Sequence, residues 1–355
     1  MKNLVALSIS VAILLSLAAC GGNTASPSAP ASSGTVSSAK SAEAAGSEND
    51  EVYVFNFGTN QPATHIVAEA YQGLVDELNE QGGGRIKATA YFSEQLGNEK
   101  EMVDMVANGI NDMVVAPGHS ALSTYYPSLQ IFDAPYVFDT PEQMLNFANG
   151  DGLDPMWDDM ASTTKIRVLG TYYFGSRHLT CNDIDVKTPA DLKGMKLRVI
   201  DAPISLATGR ALGADPTPLA YSELYLALSQ KIVDAQENPL ANILSAKFYE
   251  VQNELVLTGH VLAPVAFVIN EEKWQSLPDD IKAIVQTAVD HAVAKGSQLI
   301  EEAEKSQISE LEGYGMKVLH PDVEAFKANA KSVIDEFSSN WNEGLYESAI
   351  ATPKE

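Results

Sequence analysis

From Val52 onward the apolar positions of this chain switch repeatedly between a period of two and a period near 3.6, the marks of strands and helices. Residues 52–57 (VYVFNF) read as a buried strand. The Asn60-Gln61-Pro62 turn then leads to a helix with Ile66, Ala70, Leu74 and Leu78 on one face, ended by the glycines at 82–84. Residues 85–92 form a second strand, a helix begins at Asn98, and residues 110–116 (INDMVVA) form a third strand. Such a β-α-β-α-β series predicts a mostly parallel sheet. The apolar stretch 125–138 (YYPSLQIFDAPYVF) reads as a packed connection without chemistry. A capped helix follows over 140–149, and a strand over 166–174 runs into Gly175-Ser176-Arg177-His178. Residues 262–270 (LAPVAFVIN) form a further apolar run. Near the end, 279–311 predicts a long helix with Ile281, Ile284, Val285, Ala288 and Ala292 on its apolar face. A strand at 317–319 and a helix at 321–337 complete the pattern.

The stretch 189–239 carries the most information. Residues 196–200 (KLRVI) are a short strand with Arg198 in its middle, and Pro203 turns the chain toward helical spacing at 206–212 and again at 221–230. Pro216-Thr217-Pro218 punctuates between them, 233–236 is another strand, and Asn238-Pro239 opens a helix, since proline suits a first turn. This is the grammar of an open α/β sheet, where ligands collect outside the carboxyl ends of strands. Lys and Arg are almost never fully buried unless paired. Arg198 therefore belongs either to a surface ion pair or to a site that takes an anion.

Composition narrows the function. At 355 residues the chain has room for two domains, and 45% hydrophobic with 20% charged residues is ordinary for a globular protein. The net charge of −24 excludes nucleic acid, whose binding needs a basic surface. It leaves small anions open, because two or three local cations suffice and salt screens the remainder beyond about 8 to 10 Å. Lys2, the apolar run 4–17 and Leu17-Ala18-Ala19-Cys20 form an export signal, shorter than the roughly 20 residues a bilayer span requires. Residues 21–50, rich in Gly, Ser, Ala and Pro, read as a flexible tether. Cys181 then lacks a disulfide partner and reads as a small buried hydrophobe. HExxH, CxxC and GxSxG are absent, and Gly118-His119-Ser120-Ala121-Leu122 misses the last glycine of a nucleophile elbow. The six histidines show no metal-ligand spacing, and Asp158-Asp159 reads as solvated surface. Neither a catalytic centre, a metal nor a cofactor is expected.

The segments LKGMKLRV, GADPTPLAYSELYLAL, VDAQENPL and AKFYEVQ resemble the solute-binding receptors of tripartite ATP-independent periplasmic (TRAP) transporters, the DctP family, with the likeness running over residues 51–340. The resemblance implies an α/β, two-lobed periplasmic-binding-protein fold with hinge strands and a long domain-spanning helix. Lobe I would comprise 51–174 with 264–303, and lobe II 175–263 with 304–355. It implies Arg198 as the clamp on a substrate carboxylate, Arg177 as a second contact or a hinge ion pair, and Asn238 as an amide partner of the same carboxylate or a helix cap. Asn60 and Glu99 match polar contacts of the first lobe, although Glu99 also suits a helix first turn. Tyr221 matches an aromatic that packs on the ligand or in the core. Asp201 stands where the sialic-acid receptors have Asn. His178 is a further candidate, with a surface imidazole as the simpler reading for it and for His65. Pro117 and Ser120 replace an acidic and a basic contact of the sialic-acid receptors, which turns the expectation toward a sugar acid such as a uronate. The LAAC-Gly pattern resembles a bacterial lipobox, so 1–19 would be a lipoprotein signal, Cys20 the lipidated residue and 20–50 the linker at an extracytoplasmic membrane surface. The expected partner is a two-subunit, sodium-driven membrane permease. Sialic acid or a C4-dicarboxylate as ligand, a sensor as partner, and a surface lipoprotein enzyme acting on sugar acids stay as alternatives.

Overall fold

A computed structural model describes residues 51–110 and 112–354, so the signal, Cys20 and the linker fall outside the described residues. Strands β1 (Tyr53–Gly58), β2 (Ile86–Tyr91) and β3 (Met113–Val115) are parallel, with β1 in the centre. The helices Ala68–Gln81 and Glu99–Ala107 connect them. The second of these starts where its capping box dictates: Asn98 accepts from the Glu101 amide, and Glu101 returns a carboxylate to the Asn98 amide. Strand β4 (Ile166–Cys181) is 16 residues long, against the nine residues expected from its apolar run.

Strands β5 (Lys196–Val199), β6 (Asp215–Pro218) and β7 (Ala235–Pro239) form a second parallel group. The Pro216-Thr217-Pro218 segment thus belongs to a strand and is more than punctuation. It is tolerated because β6 is at the edge, where a missing backbone N–H breaks no ladder. Strand β8 (Glu254–Val256), which the pattern left unmarked, pairs with β4 and with β10 (Lys317–Leu319). Strand β9 (Leu262–Asn270) returns antiparallel between β3 and β4. The order is β2-β1-β3-β9-β4-β7-β5-β6.

Strand β4 is the common member. It pairs with β9 as far as Ser176, and from Arg177 onward it pairs with β7 instead. At the changeover the register slips between Tyr173 and Gly175, and Gly175 adopts φ +120°, a conformation other residues rarely reach. Glu304 holds this point from the long helix Asp279–Gly313, accepting from the Tyr173 hydroxyl and, at 2.8 Å, from the Ser176 amide. At 35 residues that helix is about 50 Å long. Its Ile281, Val285, Ala288 and Ala292 sit in the core around Phe55, Phe57 and Phe267, while its Leu311 joins a separate core with Leu224, Ile243 and Phe248. A third core, around Leu197, Val199 and Phe326, lies against β5.

A methyl group at Gly175 would stand 2.9 Å from Pro239 Cβ, in addition to the backbone strain. Gly175→Ala is expected to destabilise by about 1 to 3 kcal/mol, a melting temperature lower by roughly 2 to 5 °C for a domain of this size. An unchanged calorimetric midpoint would show that the changeover tolerates another backbone geometry.

Candidate functional site

Alternation along β5 sends Leu197 and Val199 into one core and Arg198 to the opposite face. Arg198 is 3% exposed. Its Nε and Nη2 both donate to the Leu219 carbonyl, at 2.9 and 2.7 Å, and no hydrogen bond from Nη1 to a described residue exists. No carboxylate pairs with it among the described residues. Burial pulls the guanidinium down to about 10, which still leaves it fully charged at neutral pH. A buried cation held by one carbonyl dipole is electrostatically incomplete. The chemistry that completes it is an anion.

Arg177 is the opposite case. Its Nη2 donates to Glu237 Oε1 at 2.9 Å and its Nε pairs with Oε2, while Nη2 also reaches the Glu237 carbonyl at 2.7 Å. His260 Nε2 meets the same Glu237 Oε2 at 3.1 Å and its Nδ1 meets Thr258 Oγ1 at 2.8 Å. Burial alone would push the Glu237 carboxyl up, but Arg177 and His260 outweigh it and hold it at about 2. The ion pair at the strand changeover is therefore present, and its acidic member went unrecognised in QENP because a pairing between β4 and β7 is not written in either segment.

Asn238 lies in a chain of amides. Its Nδ2 donates to Gln236 Oε1 at 2.5 Å, Gln236 donates to Thr180 Oγ1, and Asn242 Nδ2 donates back to Asn238 Oδ1 at 3.3 Å. The chain ends on His65, whose Nε2 meets Asn242 Oδ1 at 3.0 Å while its Nδ1 accepts from the Val67 amide, so the proton sits on Nε2. His65 is buried against Phe174, and burial lowers it to about 4. The expectation of a surface imidazole fails for His65, which is buried, and in part for His178. The latter is half-buried, accepts from the Gly259 amide through Nδ1, and is lowered by burial and then by His260 to about 3.

Two adjoining cavities collect these groups. The inner one, about 60 Å³, is lined by Arg198, Arg177, Asn238, Asn60, Glu99 and Tyr221, together with Gln61, Ser120, Asp133 and Asn242. The outer one, about 160 Å³, shares Asn60, Glu99, Arg198, Ile200 and Tyr221 and adds Asp201, Glu94 and Lys100. Through these shared residues they form one cleft. Glu99 accepts from the Gly118 amide at 3.0 Å, and burial raises its carboxyl. Asn60 accepts from Gln61 Nε2. Tyr221 opens the helix Tyr221–Ser229, stands edge-on to Phe248, and has its hydroxyl raised by burial to about 12. Asp201 is exposed at the outer cavity. His178 lines neither cavity, since it follows Arg177 on a strand and alternation sends it to the other face.

Sequence reasoning passed over Asp133, which sits in the apolar segment 125–138. It accepts from Ser120 Oγ at 2.7 Å, and its other oxygen has no partner among the described residues. A lone acid inside an apolar run was the available signal. Cys181 is buried, has no disulfide partner among the described residues, and lies with its Sγ 3.6 Å from Glu254 Oε2. Among the described residues no group of His, Cys, Asp and Glu is arranged to hold a metal, and no helix is long and apolar enough to cross a membrane.

The family described as "Bacterial extracellular solute-binding protein, family 7" matches residues 57–340. The sialic acid-binding periplasmic protein SiaP of Vibrio cholerae is 36% identical over 270 residues, 75% of this chain and 83% of that protein. The 2,3-diketo-L-gulonate-binding periplasmic protein YiaO of Escherichia coli is 30% identical over 269 residues, 75% of this chain and 80% of that one. Among solved structures, a TRAP periplasmic solute-binding protein from Roseobacter denitrificans with bound 3-deoxy-D-manno-oct-2-ulosonic acid superposes with a TM-score of 0.80 at 29% identity, covering 85% of this chain and 100% of that one. One from Actinobacillus succinogenes with bound L-galactonate gives 0.79 at 29% identity, covering 84% and 98%. This chain belongs to family 7 of the bacterial extracellular solute-binding proteins, the two-lobed α/β receptors of TRAP transporters, whose members bind solutes and are not enzymes.

Proposed function

We propose that this protein is the extracytoplasmic receptor of a TRAP transporter for a small hydroxylated acid, a sugar acid such as a uronate, whose carboxylate is held by Arg198. The observation that carries this reading is a buried guanidinium in the cleft with no acidic partner among the described residues. The planar fork suits a carboxylate because it donates paired hydrogen bonds to both oxygens. Asn60, Glu99, Asn238 and Asp201 line the same cleft and supply donors and acceptors for hydroxyls. The names of the E. coli relative and of the structures with bound galactonate and ulosonic acid fit the same ligand class.

In this reading the lobes are 51–174 with 264–303 and 175–263 with 304–355. They close around the ligand because it makes differential contacts in the closed state. The bound acid is handed to a two-subunit membrane permease, and lipid on Cys20 keeps the receptor at the membrane. The test is a thermal-shift screen of residues 51–355 against uronates, aldonates, sialic acid, C4-dicarboxylates and 2-oxo acids. A true ligand at 100 times its Kd adds about 2.7 kcal/mol of stability, an upward shift of roughly 4 °C. A sialic-acid response without a sugar-acid response would move the assignment to the ligand class of the V. cholerae relative. No response to any of the acids would refute the receptor reading.

A further inference from the structure

On the inner side of the cleft, a carboxyl remains that the folded chain leaves half satisfied. Asp133 is 8% exposed and receives one hydrogen bond, from Ser120, while its Oδ2 is buried without a partner among the described residues. It lines the cavity that holds Arg177, Arg198 and Asn238, and also a smaller adjoining one with Thr208, whose hydroxyl is likewise unpartnered. Burial pushes the carboxyl up to about 7, with Ser120 and Arg177 pulling it down and Glu237 and Glu99 pushing it further up. Stability cannot explain such a group, since a buried acceptor left unmade costs more than an apolar side chain of the same shape. Its flanking residues Phe132 and Ala134 belong to the apolar core and show that the segment accepts such side chains.

We propose that Asp133, steadied by Ser120, is a specificity-determining residue that receives a ligand hydroxyl at Oδ2, so that the cleft separates hydroxylated acids from their deoxy counterparts. This rests on the reading of Arg198 as the carboxylate holder: one end of the ligand is fixed by charge, and Asp133 tests the other for a hydroxyl. A site built around a hydroxyl discriminates strongly because the analogue leaves its polar group unpaired.

The test is calorimetry at pH 8 on the wild-type protein, Asp133→Ala, Asp133→Asn and Arg198→Ala. The probes are L-galactonate, D-galacturonate and the series of each lacking one hydroxyl at a time. Wild type is expected to lose about 10- to 100-fold in affinity for one deoxy position. Asp133→Ala should lose as much for the parent acid and nothing further for that deoxy acid, so that the preference disappears. Asp133→Asn, melting no lower than wild type without ligand, excludes misfolding as the cause. Equal losses across the whole series in Asp133→Ala, or none, would overturn the proposal while Arg198→Ala still weakened binding of every acid. If Arg198→Ala binds the acids normally, the reading of Arg198 as the carboxylate holder falls, and if wild type binds none of them the sugar-acid assignment falls; either result takes the subsite with it.

Discussion

Arg198→Ala is expected to weaken binding of the cognate acid by about 2 to 5 kcal/mol, the range for truncating one member of a desolvated charge pair. At about 1.4 kcal/mol per tenfold, that is some 30- to several-thousand-fold in Kd. The same substitution should leave the ligand-free protein as stable as before, or more so. Arg198 is buried with only the Leu219 carbonyl on its Nε and Nη2, so its removal relieves an uncompensated charge and opens no ion pair. Arg198→Lys separates charge from shape. An ammonium is a point charge without the fork, so it cannot serve Leu219 and a carboxylate in the same geometry, and affinity should fall between wild type and alanine. Calorimetric affinity unchanged in Arg198→Ala would remove the basis of the proposed function.

Glu237→Gln has the reverse signature, a large loss of stability. Glu237 is the counter-charge of buried Arg177 and the partner of His260, and neutralising it strands the guanidinium. Breaking a buried pair from one side costs about 3 to 5 kcal/mol, or a melting temperature lower by roughly 5 to 8 °C. The pH dependence follows from the direction of the shift. The folded carboxyl sits at about 2, below its ordinary value of 4.5, so its contribution is complete above 4.5 and disappears as pH falls through about 2. The gap between wild type and Glu237→Gln should therefore be constant near neutrality and close over that acid window. Equal melting temperatures at pH 7 would mean that Arg177 finds another partner, and that the pair is dispensable to the strand changeover.

The two arginines show how far residue patterns reach. Both stand on strands, but only Arg198 was legible as a cation needing a reason; Arg177 was expected beyond a strand end and entered through the family resemblance. The difference between them lies in partners remote in sequence: Glu237 pairs with Arg177 from 60 residues away, while Arg198 finds a carbonyl 21 residues on. Asp133 went unread for the same reason. The segment YYPSLQIFDAPYVF reads only as a packed connection, and the approach of Ser120 and the cleft wall makes Asp133 a buried acid. His65 and His178 were misjudged because single histidines carry no local sign of burial, which arises from Phe174, Asn242 and Gly259.

Local order was written in the chain. Hydrophobic period, prolines and caps set the succession of strands and helices, the long helix, and the cation on β5, because these depend on neighbours within a few residues. The change of partner along β4 from β9 to β7, the neutralisation of one guanidinium and not the other, and the half-satisfied carboxyl at Asp133 came from contacts between distant segments. Electrostatics in a low-dielectric interior is set by which groups meet after desolvation, and that meeting has no periodicity to read.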